Sequence, residues 1–201
     1  APNKFSDMTP EEFKAKYCSL DTELLEKELQ KNELIQDSKI DKDKEVPKSW
    51  DWREKGAVTP IVDQANCGSC WAHSTAATLE SQYLIHGYNI TSLSVQQLVD
   101  CDKGNKGCSG GLMNTAFDYL KTNKLMQTVD YPYSAKKGEC KYDETKGIGK
   151  VKTYHKITSQ DEKEMKVALY EKGPLAAALF SFPLMFYSGG IYEPLFSFLC
   201  P

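Results

Sequence analysis

Apolar residues recur at three- and four-residue spacing in several stretches, each with its own start or stop signal. Phe13 and Tyr17 lie one turn apart behind Thr9-Pro10-Glu11-Glu12, where Thr9 caps, Pro10 suits the first helical position and Glu12 closes a capping box. Ala72, Ala76, Leu79 and Tyr83 share one face of a helix that opens at Ser69 or Cys70 and ends at Gly87. Ser94-Val95-Gln96-Gln97 is a second capping box, followed by Leu98 and Val99. Met113, Ala116, Phe117 and Leu120 mark a helix between positions 112 and 124. A last helix is expected from 159 to 170, capped by Ser159 with Glu162 and stopped by Gly173-Pro174. The stretches 151–157 and 175–180 read as strands on either side of it. A helical half thus precedes a strand-rich half, and no internal repeat is present.

Residues 1–46 differ in texture from the rest. They are dense in Lys, Glu and Asp, and the helix expected over 21–37 has only a thin apolar face through Leu25 and Leu29. This is the composition of an accessory segment rather than a core. At Val46-Pro47 the texture changes: Trp50, Trp52 and Trp71 appear, and Gly and Cys become common.

The chain has 201 residues, 40% of them hydrophobic, which suits one or two compact domains. A net charge of −3 points to neither a nucleic-acid partner nor a membrane surface. The longest apolar stretch, 174–180, falls far short of the roughly 20 residues of a membrane span. Lys4, Asp7, Glu11 and Glu12 interrupt any signal-peptide pattern at the start. Seven cysteines fit an oxidising compartment, and the odd count leaves at least one over. Asn89-Ile90-Thr91 is a glycosylation sequon, which points the same way.

Cys67 and Cys70 stand three apart, with Trp71 directly after. Three chemistries use such a pair. A zinc site would add Cys101 and Cys108, but six residues between those two is too loose for a knuckle. A redox pair needs a preceding strand of an alternating β/α pattern, which the region before Gln64 does not supply. The third has a structural Cys67 beside a reactive Cys70 at a helix N-terminus, where unpaired backbone N–H groups favour a thiolate.

Cys67-Gly68-Ser69-Cys70-Trp71 fits the signature around the nucleophile of the papain-like cysteine proteases. The stretches VPKSWDWREKGAVTPIVDQANCGSCWAHS, LSVQQLVDCDKGNKGCSGGLMNTAFDYL, YPYSAKKGEC, KGPLAAAL and FYSGGIYEPLFSFLC resemble successive blocks of the cathepsin L-like branch. NKFSDMTPEEF resembles the later part of its inhibitory propeptide.

The resemblance implies an α+β fold of two domains, a helical left domain and a β-barrel-type right domain that is incomplete in this chain. Residues 1–46 would be propeptide, 47–150 the left domain and 151–201 the first part of the right. It implies a cysteine endopeptidase zymogen needing no cofactor and no metal, acting on peptide or protein substrates. The propeptide would be its own inhibitor, released by acid, and its compartment a lysosome, another acidic vesicle or the exterior. Cys70 matches the nucleophile, and Gln64 the side chain of the oxyanion hole. Gly68, Gly110 and Gly111 match the substrate-lining backbone. Met113, Ala178 and, less closely, Leu112 match the pocket for the second residue upstream of the cut, which would then prefer an apolar side chain. By the same resemblance Cys67 would pair with Cys108 and Cys101 with Cys140, the latter contributing on the order of 4 kcal/mol by closing a long loop. Cys200 would pair with a cysteine further on, and Cys18 matches nothing.

One part is missing from the pattern. The family's catalytic histidine and asparagine come roughly 130–150 residues after the nucleophile, which falls at about 200 to 220. His73, His86 and His155 are the only histidines. His73 shares a helix face with Cys70 and reads as a packing residue, His86 as a favourable charge at a helix end, and His155 as solvated. The expectation is that the natural polypeptide continues or that a second chain completes it. The competing expectation is a catalytically inactive homologue that keeps the cleft as a binding or structural protein.

Overall fold

The fold is built around the helix that starts at Cys70. The computed structural model describes residues 3–17, 40–90, 92–158, 161–179 and 181–190. In chain order the helices are α1 (Pro10–Tyr17), α2 (Cys70–Ile85), α3 (Val95–Cys101), α4 (Met113–Thr122) and α5 (Glu162–Lys172). Strands β1 (Leu125–Met126) and β2 (Gly147–Gly149) form a short antiparallel pair. A 3₁₀ turn covers Phe182–Phe186.

Of the face that its spacing predicts, α2 buries Ala72, Ala76 and Leu79 and leaves Tyr83 half-buried; it buries Trp71 as well. It packs against α3 and α4, and Leu93, Leu98, Leu120 and Leu125 close the core with no exposed surface. Each such leucine contributes about 2 kcal/mol through burial. A buried acid ties the core to its rim: Glu80 accepts from the Leu93 N–H at 2.6 Å and from the Thr59 hydroxyl. Burial pushes its carboxyl up, and those two donors pull it back.

Capping decides the helix starts. In α1 both capping-box bonds form: the Thr9 N–H donates to Glu12 Oε2 at 2.8 Å and the Glu12 N–H to Thr9 Oγ1 at 3.2 Å. In α3 only half of the expected box exists. Ser94 Oγ accepts from the Gln97 N–H at 3.0 Å, but the Gln97 amide serves the Met126 N–H and the Lys124 carbonyl instead. α5 starts at Glu162 on an Asp161 cap, whose Oδ1 accepts from the Glu164 N–H at 2.9 Å; Ser159, the expected cap, lies outside the described residues.

The two expected strands are corrected. Residues 151–158 and 175–179 pair with no strand among the described residues. Val151 instead donates its N–H to the Leu120 carbonyl, and Tyr154 stacks on Phe117 with ring centres 5.3 Å apart. The stretch is an extended strap over α4: it has the residues of a strand but no ladder. The helix expected over 21–37, together with Cys18 and Cys200, lies outside the described residues.

The described parts of the charged first segment, 3–17 and 40–46, are docked on later parts of the chain. Phe5, Phe13 and Tyr17 form an aromatic cluster, and α1 packs on the Phe182–Phe186 turn, burying Phe13 and Met185. Asn3 Nδ2 donates to the carbonyls of Met185 and Tyr187, each at 2.9 Å. Further on, residues 40–46 lie against α5. Lys42 Nζ reaches Asp161 at 2.6 Å and the buried Glu164 at 3.1 Å, and Lys44 pairs with Glu171.

Candidate active site

Three pieces of chain meet at the start of α2. The first is the loop 64–69, the second the first turn of the helix, the third the strip 107–112. A disulfide between Cys67 and Cys108 joins loop to strip, reinforced by the Gly68 N–H on the Cys108 carbonyl at 2.8 Å and by Trp71 Nε1–H on the Gly107 carbonyl at 3.1 Å. A second disulfide, Cys101–Cys140, ties α3 to the loop beyond Tyr133. Cys67, Cys101 and Cys108 are therefore not thiolates, and the zinc set considered above loses three of its ligands. Cys70 is the first residue of α2, is exposed, and belongs to neither disulfide.

Gln64 is half-buried, and its amide Nε2–H₂ donates to the Cys67 carbonyl at 3.1 Å. A primary amide carries two N–H donors, so one remains for another acceptor. The loop is tightly turned here: Ala65 is left-handed at φ 52°, and its N–H donates to Asp63 Oδ1 at 2.9 Å. That bond, and then Lys4 at 3.3 Å, holds the Asp63 carboxyl below the usual range.

The strip is shaped by a residue with no counterpart in the sequence reading. Asn105 is 4% exposed; its Oδ1 accepts from the Leu112 N–H at 2.7 Å, and its Nδ2 donates to the Leu112 carbonyl at 3.1 Å and to Asp102 Oδ2 at 2.7 Å. Gly110 is left-handed at φ 112°, so it needs glycine for its conformation. Gly111 needs it for space, because a Cβ would come within 2.4 Å of Asn105 Oδ1. Gly68, Gly110 and Gly111 are all buried, Leu112 is 4% exposed, and Met113 is half-buried at the start of α4. Ala178 is exposed on the stretch after Pro174, and Asn89 is exposed as well.

His73 is a packing residue. Its Nδ1 lies 3.0 Å from the Ser69 carbonyl, so this nitrogen carries the proton, and its ring meets Tyr133 edge-on at 5.0 Å. Nε2 is buried without a hydrogen-bond partner. Burial, partly opposed by the Ser69 bond, pulls the imidazole below its ordinary value. A histidine shifted this way favours folding above the unfolded value, about pH 6.5, and loses that contribution as pH falls below it. His73→Phe keeps a ring at the site and removes the orphaned nitrogen. The variant is expected to melt above the wild type at pH 5, with a smaller difference at pH 7.5, in thermal scans at both values. His86 is engaged elsewhere, its Nδ1 on the Gln82 carbonyl, about 24 Å along α2 from Cys70 by helical rise.

Among the described residues no group of three or more His, Cys, Asp or Glu is placed to hold a metal, and no helix is long and apolar enough to cross a membrane.

Known proteins resemble this chain in both sequence and fold. The family of papain cysteine proteases matches residues 46–198, and the chain belongs to it. It is 43% identical to a cathepsin L-like proteinase of Fasciola hepatica over 95% of this chain and 58% of that protein. It is 42% identical to procathepsin L of Rattus norvegicus over 96% of this chain and 57% of that one. Among solved structures it superposes on procathepsin L2 from the larval midgut of Tenebrio molitor with a TM-score of 0.86 and 35% identity, covering 97% of this chain and 64% of that one. The proform of the ragweed pollen allergen Amb a 11 superposes with a TM-score of 0.74 and 31% identity, over 96% and 61% of the two chains. The fold is accordingly the α+β papain-like one. The chain spans a little over half the length of the curated relatives it matches.

Proposed function

We propose that this chain carries the nucleophile half of a cysteine endopeptidase zymogen that cleaves peptide bonds through a thioester acyl-enzyme. The observation that carries this is Cys70: exposed, outside both disulfides, and at the N-terminus of a long helix whose preceding loop holds a half-buried glutamine amide on the Cys67 carbonyl. The Cys70 thiolate attacks the peptide carbonyl carbon. A C–S bond forms and the π pair moves to oxygen, where the second Gln64 N–H and the Cys70 backbone N–H receive it. The pair returns, the C–N bond breaks, and the amine leaves with a proton from an imidazolium. Water, deprotonated by the imidazole, then attacks the thioester and releases the carboxylic acid and the thiolate. We assign that imidazole to the part of the relatives' length that this chain does not span, or to a second chain: His73 is packed against Ser69 and Tyr133, His86 bonds the Gln82 carbonyl far along α2, and His155 is exposed on the strap over α4.

Gly68, Gly110 and Gly111 offer close main-chain approach to an extended substrate. Met113 and Ala178 are assigned to an apolar pocket for the residue second upstream of the cut. Residues 1–46 act as the inhibitory propeptide, 47–150 as the left domain and 151–201 as the first part of the right. The compartment is an acidic vesicle, the lysosome included, or the exterior, with Asn89 as a glycan acceptor. An epoxide thiol probe tests the reading. Full-length, processed protein takes up one probe per chain, in the peptide that contains Cys70. Absence of label on that peptide rejects it.

Acid release follows from the clamp between residues 40–46 and α5. A backbone bond from Glu164 and the Lys42 ammonium hold the Asp161 carboxyl below its ordinary range, and Lys44 does the same for Glu171. The part of each shift that comes from Lys42 or Lys44 belongs to docking, unlike the Glu164 bond of the helix cap; it stabilises the docked state while the carboxylates are ionised and is lost as pH falls through the docked values. The segment is therefore expected to hold at pH 5 and to loosen below about pH 4. The fluorescence of Trp50 and Trp52 reports it, since Trp50 packs on Tyr170 and Trp52 Nε1–H donates to the Leu169 carbonyl of α5. The double variant Lys42→Ala, Lys44→Ala should lack this acid step; an unchanged step in that variant removes the clamp from the release mechanism.

A further inference from the structure

Gln64 and Cys70 belong to unlike pieces of chain. Cys70 is fixed by a helix, whereas Gln64 sits in an irregular loop whose neighbours Ile61 and Val62 are exposed. One side chain from far along the sequence touches both pieces. The Tyr133 hydroxyl donates to the Gln64 carbonyl at 2.8 Å, and it lies 2.6 Å from Ser69 Oγ, one residue before Cys70. Because the phenolic proton is spent on a carbonyl, the Ser69 hydroxyl is the donor in the second bond. Ser69 is completely buried, so this bond has no competing water.

The phenol is itself held in place. His73 meets its ring edge-on. The backbone around it is pinned to α3 by one buried side chain, Gln96. The Gln96 Oε1 accepts from the Ser134 N–H at 2.8 Å, and its Nε2 donates to the Lys136 carbonyl at 2.7 Å. A continuous chain of bonds therefore runs from α3 through the segment 133–136 to Gln64 and to the first turn of α2. Burial also pushes the Tyr133 hydroxyl up, partly offset by Ser69, so it remains a proton donor across the working range.

We infer that Tyr133 is a positioning residue of the oxyanion hole: its hydroxyl clips the Gln64 loop to the start of α2 and so sets the Gln64 amide against Cys70. This rests on the proposed roles of Cys70 and Gln64. It goes beyond them by naming what holds the two together. Tyr133 touches no substrate; it acts through Gln64.

Tyr133→Phe keeps the ring and removes the clip. Two probes of Cys70 separate its effects in full-length, processed protein. A peptide aldehyde forms a hemithioacetal whose oxygen occupies the oxyanion site, whereas iodoacetamide alkylates the sulfur by displacement of iodide and needs no such site. The variant is expected to bind the aldehyde about tenfold more weakly and to lose about tenfold in kcat on a peptide amide at unchanged KM. Its alkylation rate stays within about twofold of the wild type, because the thiol itself is untouched. Ser69→Ala, which cuts the other half of the clip, reproduces the pattern and guards against a fault peculiar to one variant. Equal losses with both probes, or loss with neither, overturns the clip. A wild-type protein inert to both probes instead overturns the protease reading on which it stands.

Discussion

Cys70→Ala is expected to abolish peptide hydrolysis by the full-length, processed protein, by a factor of about 10⁵ or more, while shifting its unfolding free energy by less than about 1 kcal/mol. The two halves of this expectation have separate physical grounds. The rate falls because no other group replaces a sulfur that forms the covalent intermediate. Stability holds because the side chain is exposed and belongs to neither disulfide. Cys67→Ala should show the reverse. Its sulfur is buried and bridged to Cys108 across 41 residues of sequence, and opening a loop of that length costs about 4 kcal/mol in the chain-entropy model. Two cysteines three residues apart thus act on different observables. A fluorogenic peptide assay and urea unfolding on both variants read them. Retention of more than about a hundredth of wild-type activity by Cys70→Ala would remove the nucleophile assignment.

What the sequence made legible, and what it hid, follows from the range of each interaction. α1 was readable because a capping box spans only four residues, and both its bonds form between Thr9 and Glu12. α2 was readable because its buried face repeats at helical spacing. The strap 151–158 misled because β-branched and aromatic residues favour extended backbone, whereas a strand also needs a neighbour that no local pattern announces. The true pair, β1 with β2, escaped for the opposite reason: Gly147-Ile148-Gly149 has one side chain with which to show alternation. Gln97 is expected to complete a capping box and Gln96 has no role in the pattern, yet both are buried and serve backbone groups 27 to 40 residues away. Cys70 and Gln64 stood out through their spacing and their resemblance to a known motif. Tyr133 and Asn105 did not, because their partners are distant in sequence or hidden within a polar loop. Tyr133 lies in YPYSAKKGEC, which is legible only as one block of the resemblance. Asn105 lies inside LSVQQLVDCDKGNKGCSGGLMNTAFDYL, a block of the resemblance that gives it no role.

Gly111→Ala is expected to destabilise the protein by about 3 kcal/mol and to raise KM for extended peptides. The backbone conformation at Gly111 is not the reason; its left-handed neighbour Gly110 carries that requirement. The added methyl would lie 2.4 Å from Asn105 Oδ1, 2.7 Å from its Cγ and 2.9 Å from Trp71 Cδ2. Trp71 is 1% exposed, its indole bonded to the Gly107 carbonyl, and it has no room to retreat. Asn105 retreats only by giving up bonds to both backbone groups of Leu112 and to Asp102. Overpacking costs about 1–3 kcal/mol, and leaving buried backbone groups unpaired adds about 1–3 kcal/mol. Since these bonds set the course of the strip proposed to bind substrate backbone, their rupture reaches KM as well as stability. Gly138→Ala is the control, because a Cβ there meets nothing closer than 3.7 Å and should change stability by less than about 1 kcal/mol. A double-mutant cycle then locates the clash. Asn105→Ala removes the atoms that the new methyl would strike, so the double variant should be less destabilised than the sum of the two singles by about 1 kcal/mol or more. Strict additivity, or a Gly111→Ala protein as stable as the Gly138→Ala control, would mean that the strip yields freely and that Asn105 does not set its course.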